Sequence, residues 1–317
     1  KTVRDAVNGF LEFIKDDIKP TTYREYNRKL NNQILYHIDG DILLKDLEWD
    51  NGGRNLVMKA IKKIEEDRKF DLGHRCRSLL KRTFDYAIHM GWMEQEQNPA
   101  KVLSCERLKR SQKHHHTIKW DEVPELLRAI NLNKINANQQ AILSTKLMLM
   151  TFLRVGALTR LEWDWIDEEK KLITINGKTS GLKRNKGVND DIPHLVPVTK
   201  EMEAILDRAK ELNGHSKYVF TPIKENRYEH LDPETPNNYL KRLGYRKKLV
   251  AHGWRSVALT TGIDELKFSR EVIKRQMGHL PEGKVNKAYD KSQMLPERRD
   301  FLEKWCGLLV KNGLCLP

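Results

Sequence analysis

Apolar positions in the first hundred residues recur at three- and four-residue intervals, the spacing that lines one face of an α-helix. Val3, Val7, Phe10 and Ile14 predict a first helix. Tyr23, Tyr26 and Leu30 predict a second, with Thr21 or Thr22 as its cap. Leu56, Ala60 and Ile64 predict a third, and Leu79, Leu80, Phe84 and Ala87 a fourth that ends near Gly91. Lys and Arg alternate with these stripes, among them Lys59, Lys62, Arg75, Arg77 and Arg82. Such a face suits a phosphate backbone, and it suits plain solvent equally well.

The periodicity then stops. Asn98-Pro99 disfavours helix at Asn98. Residues 106–118, within ERLKRSQKHHHTIKW, are basic, polar and aperiodic, which predicts a linker between a helical domain over 1–105 and a second domain over 119–317. The run His114-His115-His116 falls in this linker. Three adjacent histidines do not easily face one ion, so the run is read as incidental rather than as a metal site.

Beyond the linker, Trp120–Ile130 predicts a helix whose first turn holds Asp121 and Glu122. The dense apolar run Gln139–Leu153 predicts a buried helix. KLITI (171–175) and HLVPV (194–198) predict strands, joined through NGKTSGLKRNKGVNDDIP as a hairpin with a long basic tip. Tyr218–Phe220 predicts a further short strand, and helices are expected over about 201–212, 235–249, 252–261, 269–278 and 297–312. The expected fold class is therefore mainly α with a small antiparallel β-sheet.

Charge changes the picture most. Lys plus Arg number 58 against 44 Asp plus Glu, a formal net charge of +14. Such an excess favours a polyanionic partner through phosphate contacts and counterion release. The four cysteines, Cys76, Cys105, Cys306 and Cys315, form no CxxC pair, which argues against a zinc site or a disulfide framework and for a reducing, cytoplasmic setting. No apolar run approaches the ~18 residues of a membrane span. The first residues lack both the apolar core of a signal peptide and a starting Met, so a piece of a longer protein is expected.

Three short strings carry candidate chemistry. In HGWRS, His252 and Arg255 are three apart and share a helix face. A guanidinium offers a planar fork to two phosphate oxygens, and an imidazole exchanges protons near neutral pH. In EVIKRQMGHLPEGKVNKAYDK, Ser269 is expected to cap a helix that Gly278 ends, with His279 just beyond it and Tyr289 ten residues further on. In LMLMTFLRVGALTRLEWDWID, Arg154 closes a strongly apolar run, a costly place for a cation unless it is paired or awaits an anion. Each string alone is more often a surface His, an ion-paired Arg or a packed Tyr.

Taken in order, Arg154, the basic hairpin, His252-x-x-Arg255, Gly-His279 and Tyr289 resemble the phage integrase family of tyrosine recombinases, in the form carried by prophages and genomic islands. The carrying strings are TFLRVGAL, RLEWDWID, PHLVPVT, HGWRS, EVIKRQMGH, KAYD and LPERRDFLEKW, spread over about residues 150–305. The resemblance implies a helical core-binding domain followed by a tyrosine-recombinase catalytic domain. It implies a site-specific DNA recombinase that cleaves and rejoins strands through a 3′-phosphotyrosyl intermediate on Tyr289. In it Arg154, Arg255 and His279 hold the phosphate, His252 moves the tyrosine's proton and Lys183 protonates the leaving oxygen. Lys178 and then Lys186 are the alternatives to Lys183, because the hairpin is longer than in many relatives. The resemblance implies no metal, cofactor or ATP. Implied partners are double-stranded attachment sites, a homotetramer on DNA, and accessory factors that bend DNA or set direction, in a cytoplasmic, nucleoid-associated setting. Residues 297–312 are expected to form an amphipathic helix that docks on a neighbouring protomer or on its own domain. Two features depart from the family pattern. Ala157 stands where an acidic residue often follows the first Arg, and the hairpin is longer than in many relatives; the arm-site-binding domain that many such integrases carry upstream is expected to be absent from this stretch. The rival readings are a type IB topoisomerase and a DNA-binding regulator that has lost its chemistry.

Overall fold

The computed structural model describes residues 1–66, 70–101, 115–182, 191–224, 229–280 and 293–317. The chain divides into two compact units, Lys1–Lys113 and His114–Pro317, each with its own apolar core.

In the first unit, α1 (Val3–Ile14) opens on a reciprocal cap: Thr2 Oγ1 accepts from the Asp5 amide and the Asp5 carboxylate accepts from the Thr2 amide. The second helix departs from expectation at its start. α2 (Pro20–Lys29) begins with Pro20 in its first turn and has no side-chain cap, because proline's fixed φ already suits that position, and Thr21 and Thr22 lie inside the helix. It runs on into a wider turn over Leu30–Ile34. α3 (Gly53–Glu65) and α4 (Phe70–His89) complete the unit, and Gly91, at φ 69°, turns the chain after α4. Arg77, read from sequence as part of a basic stripe, is instead structural. It is 1% exposed, and its guanidinium donates to the carbonyls of Ala100 and Lys101.

The second unit is built around α6 (Gln139–Thr151), buried on every side from Gln140 to Thr151 and capped by Asn138. A helix with no solvent face is apolar all round, which is why the sequence shows density there rather than an amphipathic stripe. Before it, α5 (Val123–Leu132) follows a 3₁₀ turn at Trp120–Glu122. After it come the short α7 (Val155–Leu158) and an antiparallel sheet in the order β1 (Ile166–Asp167), β2 (Leu172–Ile175), β3 (His194–Pro197). Ile173 pairs with Val196 and Ile175 with His194. α8 (Lys200–Asn213) is capped by Thr199.

Tyr218 forms a single bridge to Glu162 rather than the expected strand. α9 (Thr235–Leu240) continues as a wide turn over Lys241–Tyr245 and stops well short of residue 249, because Gly244 takes φ 97°. α10 (Ala251–Asp264) and α11 (Arg270–Gln276, capped by Ser269) follow. The last helix, α12 (Leu295–Lys311), belongs to this unit's own core: Phe301, Leu302, Trp305, Cys306 and Leu309 are all 0% exposed. Its apolar face is therefore not a free docking surface. Among the described residues no helix is long and apolar enough to cross a membrane.

Candidate active site

The C-terminal end of α6 organises the site. A helix leaves its last carbonyls without intrahelical partners, and here side chains from three later helices supply the donors. Leu149 O accepts from Trp254 Nε1 of α10 and from Trp305 Nε1 of α12, both at 3.0 Å. Thr151 O accepts from Gln276 Nε2 of α11 at 3.1 Å. Phe152 O accepts from Arg255 Nη1 of α10.

Phe152 makes this possible by leaving the helix in the left-handed region at φ 59°. For a residue with a side chain that conformation costs about 1–2 kcal/mol. Burial of the ring offsets the cost: it is 0% exposed and lies 5.7 Å from the Phe301 ring and 5.1 Å from that of Trp305. The turn sends the Phe152 carbonyl toward Arg255 and sets Arg154 at the N-terminal cap of α7.

α10 carries His252 in its first turn, exposed, and Arg255 three residues on, only 6% exposed. Besides Phe152 O, Arg255 Nη2 donates to Met277 O at 2.8 Å and meets His279 Nε2 at 3.2 Å. A guanidinium only donates, so His279 Nε2 is the acceptor, and a neutral His279 ring then carries its proton on Nδ1. His279 reaches this point because α11 ends as the sequence suggests. Gly278 takes φ 77°, its amide bonds Arg275 O at 2.9 Å, and the His279 amide bonds Lys274 O at 3.0 Å.

Arg154 contrasts with Arg255. Among the described residues its Nε and Nη1 are buried without a hydrogen-bond partner. Burial holds its guanidinium below the ordinary arginine range. Arg255 is pushed down to about 9, first by burial and then by the charge of Arg154. Among the described residues no carboxylate acts on either group to offset this. Two cations thus stand close together, one with buried donors unfilled. An anion at that point supplies the missing acceptor and relieves the repulsion.

The hairpin after β2 packs against the same place. A Cβ on Gly181, which sits at φ +104°, would lie 2.4 Å from the Ala157 amide nitrogen. Leu182 is 3% exposed in the core. Ala157, where the family often has an acid, is 0% exposed beneath this crossing. Lys178 is exposed, its amide bonded to Asn176 Oδ1. Lys183, Lys186 and Tyr289 lie outside the described residues. The structure therefore brings Arg154, Arg255 and His279 together and places His252 on the Arg255 helix.

Two supporting residues were not singled out from sequence. Gln276 is 0% exposed, and its Oε1 accepts from Arg298 Nε at 3.1 Å and Nη2 at 2.8 Å. Arg298, also 0% exposed, donates further to Gln293 O at 3.0 Å and to Leu195 O, tying α12 to α11 and β3. Both carried a signal. Gln276 follows Val272 and Ile273 by four and three residues, and Arg298 precedes Phe301, Leu302 and Trp305 by three, four and seven. A polar residue in register with a core face is either an error of register or a buried partner.

Residues 116–295 match the phage integrase family. The chain belongs to the phage integrase family. Within it, the chain is 27% identical over 289 residues to IntB of Escherichia coli (strain K12), covering 85% of this chain and 72% of the relative. It is 25% identical over 263 residues to the integrase of Enterobacteria phage P4, covering 81% of this chain and 59% of the relative. The fold matches the lambda integrase (75-356) dimer bound to a COC′ core site, with a TM-score of 0.67 at 18% identity, over 92% of this chain and 96% of that one. It also matches the lambda integrase tetramer bound to a Holliday junction, with a TM-score of 0.67 at 18% identity, over 90% and 79%. The matched span of this phage integrase family member runs from His116 to Leu295 and takes in the whole of α5–α11.

Proposed function

We propose that this chain is the strand-cleaving and rejoining part of a tyrosine-type site-specific recombinase acting on double-stranded attachment sites of a mobile element. One observation carries the proposal. Among the described residues, Arg154 and Arg255 stand together at the end of α6 with no carboxylate acting on them and two buried donors of Arg154 unfilled. A phosphodiester is the ligand of the right sign and shape, since its non-bridging oxygens accept from the unfilled donors of Arg154 beside the charge of Arg255. The attraction grows as charge accumulates on those oxygens in the pentavalent transition state.

In this mechanism the Tyr289 oxygen attacks phosphorus and the bond to the 5′ oxygen breaks, leaving the 3′ phosphate on the tyrosine. The phenol, with a free pKa of about 10, is a poor nucleophile at neutral pH, so His252 takes its proton. Lys183 gives a proton to the departing 5′ oxygen, with Lys178 and then Lys186 as the alternatives. His279 donates to a non-bridging oxygen. Attack by the 5′ hydroxyl of another strand reverses each transfer and restores the phosphodiester. The covalent link conserves the bond energy, so ATP is not required. The solved relatives on a core site and on a Holliday junction support DNA as partner and a tetramer as the working assembly.

The test is covalent trapping on a nicked duplex from which the cleaved end diffuses away. The chain is expected to form a protein–DNA adduct that persists in EDTA, and Tyr289→Phe to bind the same DNA and form none. An adduct from Tyr289→Phe overturns the assignment of the nucleophile, and cleavage lost on chelation points to a metal nuclease.

A further inference from the structure

The histidine run, incidental by its sequence, does not lie idle in the structure. His115, His116 and Thr117 cross the first turn of α10, the helix of His252 and Arg255. The Val250 amide donates to His116 O at 3.2 Å, and Thr117 Oγ1 donates to Gly253 O at 3.1 Å. Gly253 gives the crossing its room: a Cβ there would stand 1.9 Å from His116 O. Ile118, 6% exposed, anchors the following residue in the core of the second unit. This strap sets the His115 ring edge-on to the His252 ring, with centroids 4.4 Å apart and planes at 61°.

The geometry points to His115 as a positioning residue for His252. His252 is exposed at the start of its helix, where a side chain samples several rotamers unless something packs against it. A proton acceptor works only within hydrogen-bond reach of its donor, so time spent in other rotamers lowers the rate. The strap is fixed through its backbone to α10 itself, so the His115 ring moves with the helix and limits where the His252 imidazole goes. Gly253 is the second positioning residue, because any side chain there evicts the His116 carbonyl. The inference rests on the proposed role of His252 toward Tyr289.

The experiment uses the full chain and a pool of nicked duplexes with a randomised core, from which the wild-type chain covalently captures its preferred sequence. Single-turnover adduct formation is then measured on that duplex, with DNA affinity measured separately by gel shift. His115→Ala, a change at an exposed position, is expected to slow adduct formation roughly three- to ten-fold, the worth of an edge-to-face ring pair, with affinity unchanged. His115→Phe keeps a ring against His252 and is expected to recover most of the loss. In a His252→Ala background, His115→Ala should cost nothing further. A merely structural strap predicts equal losses in both backgrounds and no recovery with Phe, and either result overturns the inference. So does an unchanged rate in His115→Ala. No adduct from the wild-type chain overturns the proposed function as well, which separates the two failures.

Discussion

Replacing Gln276 with leucine tests whether the site is held from behind by buried polar groups. The side chains are similar in volume, so the change removes hydrogen bonds rather than opening a cavity. Three bonds go: two that Gln276 Oε1 accepts from Arg298, at 3.1 and 2.8 Å, and the one its Nε2 gives to Thr151 O at 3.1 Å. Arg298 is pushed down to about 10, by burial first and then by Arg275, so it remains a cation at neutral pH and its bonds are charge-assisted. Bonds to charged groups contribute about 1.5–3 kcal/mol each, and Arg298 keeps its bonds to Gln293 O and Leu195 O. The burial of leucine's carbons offsets part of the loss, leaving a net destabilisation of about 3–5 kcal/mol. For a unit of this size that lowers Tm by roughly 6–20 °C. Urea unfolding followed by tryptophan fluorescence reads it, since Trp254 and Trp305 are both 0% exposed beside the site. The two units require separate transitions in the fit. Gln276→Glu keeps an acceptor for Arg298 but sets an oxygen against the Thr151 carbonyl, so it should fall between wild type and leucine. A loss below about 1 kcal/mol for Gln276→Leu, or a larger loss for Gln276→Glu, would refute the reasoning.

Sulfate should raise Tm of the wild-type chain more than that of Arg154→Met, compared in thermal scans at matched ionic strength; equal gains would reduce the effect to general salting-out. That specific gain should weaken as pH rises, because burial and the charge of Arg154 hold Arg255 below the ordinary arginine range. Cys306 is pushed up to about 12 by burial from its ordinary 9.0. Its unfolded form releases a proton first as pH rises, so between 9 and 12 stability falls by up to roughly 4 kcal/mol, and Cys306→Ser should flatten that slope in urea titrations at pH 8 and 11. Trp305→Ala should cost about 3–5 kcal/mol by the same unfolding assay. Truncation after Lys304 should give an insoluble chain rather than a folded one that lacks only a partner contact.

The sequence carried the helices and the hairpin because each repeats a local signal: a cap at Ser269, a glycine at 278, alternation in KLITI and HLVPV. It misplaced the start of α2, where proline replaced the expected threonine cap, and the end of α9, where Gly244 intervened. The motif strings resemble the family as a set because their order is specific although each string alone is not, and of the residues they name the structure brings Arg154, Arg255 and His279 together. The distribution of burial was not. Arg77 and Arg298 look like any other basic residue in a chain with 58 of them, and only the fold shows that both lie in the core bonded to carbonyls. Nor does spacing within the chain reveal that residues 115–117 cross α10, since the pairing of His116 with Val250 and Gly253 spans well over a hundred residues.

The donors around the end of α6 also explain why two neighbouring arginines do not unravel the site. The C-terminal end of a helix carries partial negative charge, and Arg255 is seated on the last carbonyl of that turn. Its partner donors on neighbouring carbonyls are neutral: two indoles and an amide. The helix end therefore compensates one cation in part, and packing supplies the rest, while Arg154, two residues beyond Phe152, is left among the described residues with buried donors unfilled. A carboxylate at position 157 would lie near enough in sequence to fill them, and the chain has Ala157 there instead. Adding one, as in Ala157→Asp, would relieve the repulsion at the expense of anion affinity. Stability of the free chain and attraction for a phosphate thus pull in opposite directions at this one position, and the sequence as it stands favours the phosphate.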